Sequence, residues 1–560
     1  MKKLINRPQD VVRETLMGLA ATTPHLVLAQ DYDIILRSDL PAPAERKVAL
    51  ISGGGSGHEP AHAGYVGRGM LTAAVAGDVF TSPDVDSILA AIRAVTGPAG
   101  ALLVVKNYTG DRLNFGLAAE LARQEGLPVE IVVVADDVSL RETMPRARWR
   151  GIAGTVFVHK IAGAAAEAGA DLASVAALAR AVADSLATMG VGLGSCIVPG
   201  TGVASFTLAP GEVEFGLGIH GEEGVRRAAL ADAATIVRTL VDAVSEGIPA
   251  SPAALLVNGL GGTPPMELSL VAGLAVAELR ARGFDIIRAF TGSFMTALEM
   301  PGVSLTLLPL AADWSGHLDA ATAASAWPGA GAVPAEPATV ALGAVKSGAD
   351  DGAPADPALV AILQSVIGAL NAAKDELTEL DAKAGDGDLG VSMARAAAAL
   401  DALPASAAAT PGRLAAAAAD ALRRAIGGSS GPFYAVALLR AAERLGDSPT
   451  RADIADALAA AASAISELGG AKPGDRTMLD ALAPATDGLR SAPDGGPAAL
   501  ARATADAARA GAEATRTMKP ALGRASYLGE RVIGTPDGGA VAVAIWLDAI
   551  ANALESRQRT

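Results

Sequence analysis

Residues 47–65 read KVALISGGGSGHEPAHAGY. The apolar run Lys47–Ile51 predicts a β-strand, and four glycines follow it between residues 53 and 57. A strand that runs into a glycine-rich loop is typical of a phosphate-binding turn. This loop instead ends at His58, and a second histidine, His62, follows it without any lysine. The stretch predicts a ligand loop in an α/β fold and leaves the role of the two imidazoles open.

The glycine loop fits neither of the two common nucleotide-binding motifs. The dinucleotide fingerprint G-x-G-x-x-G needs a third glycine so that helix and strand pack closely. Gly53 and Gly55 occupy the first two places, but His58 occupies the third. A P-loop needs a lysine beside a serine or threonine at the end of its glycine frame, and none stands here. Both interpretations of this loop are therefore rejected.

The composition excludes several classes of protein. A chain of 560 residues is too long for one hydrophobic core, and about two to four domains are expected. The net charge of −15 argues against a nucleic-acid partner, because phosphate backbones attract basic surfaces. The single cysteine, Cys196, rules out internal disulfides and a thiolate zinc cluster. We find neither the apolar segment of a signal peptide nor a run of the roughly 18 apolar residues that cross a membrane. The sequence predicts a cytoplasmic protein without a membrane partner.

Residues 1–330 are predicted to form an α/β region, because short apolar runs alternate there with helical stretches of about ten to fifteen residues. In such folds the functional side chains tend to lie on loops beyond the strand ends. We expect two subdomains in this region. The predicted strands lie in the runs Lys47–Ile51, Met70–Ala76, Gly100–Asn107, Val129–Asp137, Glu214–Gly221, Ala253–Leu260 and Gly302–Leu310.

The composition and the apolar periodicity of the chain change after the last of these strands. Residues 331–357 are rich in Ala, Gly and Pro and show no sustained period, which is typical of an interdomain linker. From residue 358 to residue 560, long alanine-rich amphipathic stretches are punctuated by Pro and Gly. This pattern predicts an all-α helical bundle.

The segment LDAKAGDGDLGVSM, residues 380–393, places three carboxylates, Asp381, Asp386 and Asp388, among glycines. Carboxylates this close repel one another unless cations neutralise them, and hard oxygen ligands on a flexible turn suit Mg²⁺. The same pattern fits a helix N-cap at Asp388 with solvated acids, and the spacing does not separate the two. Three further Gly/Ser-rich segments, residues 425–434, 469–482 and 523–540, could meet these aspartates at one end of the bundle around a nucleotide.

In the first half, Lys106 and Asp111 follow a predicted strand, and His220 stands in LGIHGEEG behind another. Polar side chains at these places can reach a ligand. A loop lysine and aspartate are also commonly solvated, and a lone histidine can be a satisfied core residue. The residue pattern alone leaves these alternatives open.

Longer motifs resemble the dihydroxyacetone kinase family. Four motifs resemble the ketone-binding half of that family: GGGSGHEPAHAGYVGRGML, VKNYTGDRLNF, LGIHGEEG and TGSFMTALEM. Four others resemble its ATP-binding half: LDAKAGDGDLG, GGSSGPF, KPGDRTMLDA and GRASYLGER. The resemblance covers nearly the whole chain, in family order. It implies an α/β ketone-binding region followed by a helix barrel that binds ATP.

The resemblance also implies roles for residues in the first half. His220 matches the histidine that binds the ketone covalently as a hemiaminal, a bond that excludes polyols such as glycerol because they lack a carbonyl. Lys106 matches a residue that binds the substrate oxygens, and His58 and Asp111 match an acid–base pair at the attacking hydroxyl. The glycine loop, Gly55, Ser56, Gly57 and His58, is then the wall of the ketone site, where backbone amides approach the substrate.

For the second half, the resemblance implies that Asp381, Asp386 and Asp388 hold two Mg²⁺ ions that grip the phosphates of ATP. Since cations neutralise the transferring charge, no P-loop lysine is needed. The chain departs from many relatives at Pro536-Asp537-Gly538-Gly539, where they have Asp-Pro-Gly, so the geometry of this loop is open. Residues at nucleotide-contacting positions are Leu389, Gly390, Val391, Ser392, Ser429, Ser430, Gly469, Met478, Arg524, Asp537 and Gly538.

The leading expectation is thus an ATP-dependent kinase of dihydroxyacetone. Alternatives are a kinase of a four-carbon ketose such as erythrulose, an FAD-AMP lyase that forms cyclic FMN, and a sugar-sensing regulator. The presence of both His220 and the three aspartates disfavours the regulator. The resemblance further implies a homodimer in which the nucleotide domain of one chain faces the ketone site of the other.

Overall fold

The computed structural model describes residues 2–342, 352–523 and 525–559. The chain divides into two compact units, Met1–Thr339 and Val340–Thr560. The first unit contains two six-stranded sheets with helices, and the second is helical. This confirms the predicted α/β region followed by an all-α region.

The first sheet has the strand order β1-β2-β4-β3-β5-β6. Strand β3 lies between β4 and β5 and is parallel to both, so the chain leaves β3 to one side and returns on the other. The carboxyl end of β3 is therefore a topological switch point, the usual place of ligand sites in open α/β sheets. The strands are β1 (Leu26–Leu28), β2 (Ile34–Arg37), β3 (Ala49–Ser56), β4 (Ala73–Val79), β5 (Ala101–Lys106) and β6 (Val129–Val134).

The second sheet has the order β11-β10-β12-β7-β8-β9 and is mainly antiparallel, with only β10 and β11 running parallel. Its edge pair, β8 and β9, leads to the loop that carries His220. The strands are β7 (Ala187–Gly192), β8 (Glu212–Phe215), β9 (Arg226–Ala229), β10 (Pro252–Gly259), β11 (Asp285–Gly292) and β12 (Gly302–Pro309).

The main core of the first unit lies between its two sheets. Apolar residues of both sheets, such as Leu102 and Leu256, pack there with Phe157 and Ile161 of helix α4. Because α4 is buried nearly along its whole length, any polar side chain on it must find a partner inside the protein. The helices are α1 (Val11–Thr22), α2 (Val85–Val95), α3 (Thr109–Gln124), α4 (Thr155–Glu167), α5 (Leu172–Ser185), α6 (Ala233–Ser245), α7 (Pro265–Ala281) and α8 (Trp314–Asp319).

Each apolar run predicted as a strand overlaps an observed strand. Strands β1, β2, β7, β9 and β11 were not predicted; three of them are only three or four residues long, and β7 and β11 contain few consecutive large apolar residues. Residues 331–335, assigned to the linker, bond to the first unit: Val333 N–H donates to Ile287, and Arg280 donates to Pro334 and Ala335. Residues 343–351 of the predicted linker lie outside the described residues.

The helices of the second unit form a closed ring. Helices α9, α11, α12, α13, α14, α15, α16 and α18 each pack on the next, and α18 packs on α9. This is the expected helix barrel, and an apolar pocket of about 250 Å³ lies among α9, α11, α12, α13 and α18. The helices are α9 (Pro357–Ala372), α10 (Lys374–Ala384), α11 (Leu389–Asp401), α12 (Pro411–Ala425), α13 (Ser430–Ala442), α14 (Arg451–Gly469), α15 (Leu479–Ser491), α16 (Pro497–Ala514), α17 (Ala525–Leu528) and α18 (Gly538–Arg559).

Helix α18 is long and apolar enough to cross a membrane, and so are α9 and α10 taken together as a span bent by 55°. The sequence did not predict an apolar run of that length; α18 is apolar enough because its many alanines raise its mean hydropathy. Ala540, Val543 and Leu547 of α18 pack in the core of the ring. We interpret α18 as a core helix of the bundle.

Small residues set the distance between the helices of the ring. A Cβ on Gly511 of α16 would lie 2.1 Å from the carbonyl oxygen of Asp480 and 2.9 Å from Pro484 in α15. Gly511→Ala should therefore destabilise the helical unit by about 1–3 kcal/mol, the usual cost of overpacking. Gly368 of α9 is the matched control, because a Cβ added there would meet nothing within 4 Å.

Gly368→Ala should stabilise the unit by roughly 0.5–1 kcal/mol, since alanine loses less backbone entropy in a helix. Urea unfolding followed by far-ultraviolet circular dichroism measures both variants. Equal effects of the two substitutions would contradict the close packing of α15 against α16.

Candidate active site

The polar residues of the first unit gather at the carboxyl ends of β3 and β5. Lys106 is the last residue of β5, and His58 follows the end of β3 by two residues. The loop after β3 is bound to a segment beyond β11: Leu298 N–H donates to Gly57 O at 2.7 Å, and Thr296 N–H donates to His58 O at 3.2 Å. The two sheets thus share one site at the switch point of the first.

Lys106 is fully buried, and its charge is paired with Asp111, also buried. The distance from Lys106 Nζ to Asp111 Oδ2 is 3.4 Å, and the Ser82 hydroxyl donates to the other carboxylate oxygen. Asp111 lies in the first turn of α3, where the positive end of the helix dipole stabilises a carboxylate. The site therefore holds an ammonium and a carboxylate side by side, both with almost no exposed surface.

His58 is held in one tautomer. Its Nδ1 lies 2.8 Å from the carbonyl oxygen of Thr296, which can only accept, so Nδ1 carries the proton. Its Nε2 is buried and has no hydrogen-bond partner among the described residues. Burial lowers the pKa of His58 well below its usual value, and electrostatic repulsion of its protonated form by His220 and Lys106 acts in the same direction. The imidazole is neutral, and its free Nε2 lone pair can take a proton from a ligand.

His220 approaches His58 from the loop between β8 and β9. Its ring centroid lies 4.8 Å from that of His58 and 4.4 Å from that of Tyr108. Glu222 lies beside it: its carboxylate accepts from the His220 backbone N–H at 2.7 Å and lies 3.8 Å from Nδ1 of the ring. Burial opposes ionisation of Glu222, but the His220 contacts and Arg150 outweigh it and lower its pKa to about 2. A carboxylate on the Nδ1 side leaves Nε2 of His220 to face a ligand.

Gly54 and Gly55, predicted to lie in a loop, belong to the last residues of β3 and permit close approach of neighbouring groups. A Cβ on Gly54 would lie 2.2 Å from Lys106 Nζ, and one on Gly55 would lie 2.6–2.8 Å from the backbone of Phe80 and Thr81. The glycine run thus makes room for the buried ammonium and for the neighbouring chain. The Gly57 N–H donates to Glu59, so this amide is already engaged in the present structure.

In the second unit, Asp381, Asp386 and Asp388 come together at the junction of α10 and α11, with one ligand atom of each within 4.8 Å of the others. Asp388 stands at the N-cap of α11, but its side chain does not cap the helix. Asp381 does so instead, since its Oδ2 accepts from the N–H groups of Asp388 and Leu389 at 2.9 and 3.3 Å. The carboxylates of Asp386 and Asp388 are exposed, and this all-oxygen donor set fits a divalent cation such as Mg²⁺.

The beginnings of three helices converge beside these carboxylates. A Cβ on Gly538, at the start of α18, would lie 2.9 Å from Leu389, and one on Gly539 would lie 3.6 Å from Met478, which precedes α15. At the end of α14, a Cβ on Gly469 would lie 2.7 Å from Phe433 in the first turn of α13. Helix N-termini offer free N–H groups to anions, so this end of the ring suits phosphates.

Asp537 and Arg476 tie the loops of this region together. Asp537 accepts from Ala540 N–H at 2.9 Å, and burial raises its pKa to about 6. Arg476 is 1% exposed; it donates to the carbonyl oxygens of Val532 and Thr535 at 3.4 and 2.9 Å. Since Val532 and Thr535 belong to the loop that ends at Asp537, the guanidinium anchors that loop to the turn before α15.

Comparison with known proteins assigns both units. The Dak1 domain matches residues 17–326, and the DAK2 domain matches residues 383–552. The chain belongs to the dihydroxyacetone kinase family. Human triokinase/FMN cyclase is 44% identical over 99% of this chain and 100% of its own length. The D-erythrulose kinase of Mycolicibacterium smegmatis is 38% identical over 99% of this chain and 98% of its own.

The fold agrees with this family over the whole chain. The crystal structure of the dihydroxyacetone kinase of Citrobacter freundii in complex with AMP-PNP and Mg²⁺ covers 98% of this chain and 99% of that one, with 37% identity and a TM-score of 0.67. The resemblance drawn from the sequence motifs is thereby confirmed.

The structure brings the predicted residues of this kinase-family chain together in two groups. In the first group, His58 and His220 lie edge to face with ring centroids 4.8 Å apart, and Lys106 and Asp111 form an ion pair beside Gly54. In the second group, the three aspartates adjoin Leu389, a predicted nucleotide contact at the start of α11, and Leu389 lies near Gly538 of α18. Ser429 and Ser430 begin α13, whose Phe433 lies against Gly469. Arg524 lies outside the described residues.

Several residues of these sites were not singled out from the sequence. Tyr108 and Glu222 flank His220, Thr296 orients His58, and Arg476 holds the Asp537 loop. Each except Thr296 stands within two residues of a predicted position, and Thr296 stands in TGSFMTALEM. Proximity in sequence to a motif was the available signal; which neighbour points inward is decided by the loop conformation.

Asp537 predicts a pH dependence of stability. Because its folded pKa is raised from 3.8 to about 6, the folded helical unit holds a proton that the unfolded chain releases between these values. The free energy of unfolding should therefore fall as pH rises from about 4 to about 6. Asp537→Asn should remove this contribution, and the exposed Asp494, replaced likewise, should not. Urea unfolding across this pH range measures it; parallel curves for wild type and Asp537→Asn would contradict the assignment.

Proposed function

We propose that this chain is an ATP-dependent kinase that transfers a phosphoryl group to the terminal hydroxyl of a small ketose, with dihydroxyacetone as the leading substrate. The observation that carries the proposal is the His220–His58 pair beside a buried Lys106–Asp111 ion pair, on a chain that also carries a carboxylate trio suited to Mg²⁺. Relatives named triokinase, dihydroxyacetone kinase and D-erythrulose kinase support the class of substrate.

The ketone is held by covalent capture on His220. The Nε2 lone pair adds to the carbonyl carbon; a C–N bond forms while the carbonyl π bond opens onto oxygen. The oxygen gains a proton and Nδ1 loses one, so the neutral hemiaminal is balanced. Glu222, next to Nδ1, stabilises the positive charge that the ring carries between the two steps. Glycerol has no carbonyl and is rejected by this chemistry.

The other groups of the pocket position and activate the hydroxyl. Lys106 donates to a substrate oxygen, since Asp111 and the protein interior do not use all three of its N–H donors. His58, with Nδ1 bound to Thr296, offers Nε2 as the base that removes the hydroxyl proton. Asp111 is its partner in the acid–base pair, and its carboxylate keeps Lys106 charged beside the substrate.

ATP and two Mg²⁺ ions belong to the second unit in this proposal. Asp381, Asp386 and Asp388 would hold the cations, which supply neutralisation of the phosphate charge during transfer. The nucleotide would lie against the starts of α11, α13, α15 and α18, where the glycines and the serines Ser429 and Ser430 leave N–H groups accessible. The half-buried Asp537, fixed by Ala540 and Thr515, keeps the loop before α18 in place.

Two other activities have support from relatives. A four-carbon ketose such as erythrulose offers the same carbonyl and adjacent hydroxyls, and a D-erythrulose kinase is among the relatives. FAD cleavage to cyclic FMN, with Mn²⁺ at the aspartates, is a second candidate, because relatives are named triokinase/FMN cyclase. Assays of C3 to C5 ketoses with ATP, and of FAD with Mn²⁺, separate these activities. The cytoplasmic location stays a prediction.

Covalent capture of the ketone can be tested at His220. With [2-¹³C]dihydroxyacetone, the wild-type protein should show a ¹³C signal of a tetrahedral carbon bound to nitrogen, and His220→Ala should lose it. The variant should raise KM strongly and begin to accept glycerol, because the test for a carbonyl has gone. Orientation by such a bond supplies several kcal/mol of a barrier, roughly a 100-fold or larger loss in kcat/KM. A wild-type complex with only the free carbonyl or hydrate signals would refute capture and leave the kinase itself standing.

Variants at Asp386 test the metal site, and combined with variants at His220 they test the quaternary arrangement. Asp386→Asn should abolish ATP turnover while the ¹³C signal of ketone capture persists, since capture occurs in the other unit. We further propose a homodimer in which each nucleotide unit serves the ketone site of its partner. Mixed dimers of His220→Ala and Asp386→Asn chains should then regain about half of the wild-type activity, because one ketone site and one nucleotide unit remain paired.

If each chain serves its own site, the mixed dimers stay inactive, because every chain then carries one defective unit. Full activity of Asp386→Asn alone would sink the Mg²⁺ assignment. Sedimentation velocity of the wild-type chain gives the oligomeric state independently.

A further inference from the structure

The second histidine of the opening loop, His62, takes no part in the chemistry described above, yet it is buried beside the site. Its Nε2 lies 3.3 Å from Lys106 Nζ. Its Nδ1 lies 3.0 Å from Nε2 of His159, a histidine on the buried helix α4. Ser52, on β3, also approaches Nδ1 at 3.4 Å.

The hydrogen-bond donors in this group can be assigned one by one. The Ser52 hydroxyl gives its hydrogen to the carbonyl oxygen of Val104 at 2.7 Å, so its oxygen can only accept from His62. Lysine Nζ has donors and no acceptor in its charged form, so Nε2 of His62 must accept from it. His62 therefore carries its proton on Nδ1, and His159 accepts this proton at Nε2. The proton of His159 is left on Nδ1, which has no partner among the described residues.

We propose that His62 and His159 form a buried imidazole relay that positions Lys106 for the ketone. In it, Lys106 donates to His62, and His62 donates to His159. Two of the three N–H groups of Lys106 are then fixed, one on Asp111 and one on His62, and the third is directed at the substrate oxygen. His62 is a positioning residue: it acts through Lys106 and touches no reacting atom. The inference deepens the proposed function and rests on it for the identity of the substrate.

The surroundings of the relay require neutral imidazoles. Burial, followed by the charge of Lys106, lowers the pKa of His62 well below its usual value and that of His159 to about 3. A protonated His62 could no longer accept from Lys106 and would place a second cation against it. The buried ammonium would then have only Asp111, at 3.4 Å, to offset the loss of hydration.

The tautomers can be measured in the full-length, ligand-free protein, whether or not it phosphorylates a ketone. Long-range ¹H–¹⁵N correlation spectra of ring-¹⁵N-histidine protein at pH 7 contain six histidines, and His62→Gln and His159→Leu identify two of them. The expected result is Nδ1–H with a bare Nε2 for both. An Nε2–H tautomer or a doubly protonated His62 would overturn the relay, and this outcome leaves the kinase proposal untouched.

Kinetics test the positioning role. His62→Leu should raise KM for dihydroxyacetone on the order of 10- to 100-fold, as for loss of a hydrogen bond to a charged group, with KM for ATP unchanged. His62→Gln should stay within about 3-fold of wild type, because one amide can accept from Lys106 and donate to His159. The half-buried His25, replaced by Leu, is the control and should change neither constant.

The double variant separates the relay from independent packing effects. His159→Leu should have a smaller effect than His62→Leu, and adding it to His62→Leu should cost nothing more, since His159 acts through His62. Multiplying effects, or a His62→Gln protein as impaired as His62→Leu, would overturn the proposal. If the leucine variants fail to fold, the tautomers of the wild-type protein and the His62→Gln kinetics still decide it.

Discussion

The first unit is organised around one buried charge. Lys106 has no exposed surface, and a buried ammonium is tolerated only where other groups offset its lost hydration. Asp111 supplies the countercharge from the start of α3, and His62 supplies a neutral acceptor. Gly54 supplies the space, because any side chain there would collide with Nζ. Three elements thus accommodate this single group. The glycine run makes room for it, the N-terminus of α3 supplies its countercharge, and α4 supports its histidine acceptor through His159.

The same constraint explains why the site is built from both sheets. His58 follows β3 of the first sheet, His220 follows β8 of the second, and their ring centroids lie 4.8 Å apart. His58 is oriented by Thr296, beyond β11, and Asn258 of β10 fixes that turn by accepting from the N–H groups of Phe294 and Met295 at 2.8 and 2.9 Å. A neutral imidazole with a free Nε2 and an imidazole beside a carboxylate have different chemistry. In the proposed function, the first ring acts as the base and the second as the nucleophile.

In the helical unit the main electrostatic feature is negative: three carboxylates cluster at the junction of α10 and α11. Asp381 uses one oxygen for the first N–H groups of α11, which leaves Asp386 and Asp388 exposed for a cation. Arg476 is buried and Asp537 is half-buried, and they fix the loops on which the helix starts converge. Small residues such as Gly511 let the last turns of α16 pack closely against the start of α15.

Local patterns in the chain were enough to predict the α/β and helical halves, most of the long central strands, the aspartate trio and, through the motifs, the family. These features depend on apolar periodicity, glycine frames and closely spaced carboxylates, all of which are visible within a few residues. Short edge strands such as β1 and β9 were missed because three or four residues carry too little period. The partners of each site group could not be predicted in this way, because they are distant along the chain.

Thr296 is 238 residues from His58, and His159 is 97 residues from His62. No local pattern relates them, and a histidine looks the same in sequence whether it is a base, a nucleophile or a positioning group. Which nitrogen of each ring carries the proton follows from the donors and acceptors that folding places around it. For this physical reason the folded arrangement, and not a local motif, decides which partners surround each ring.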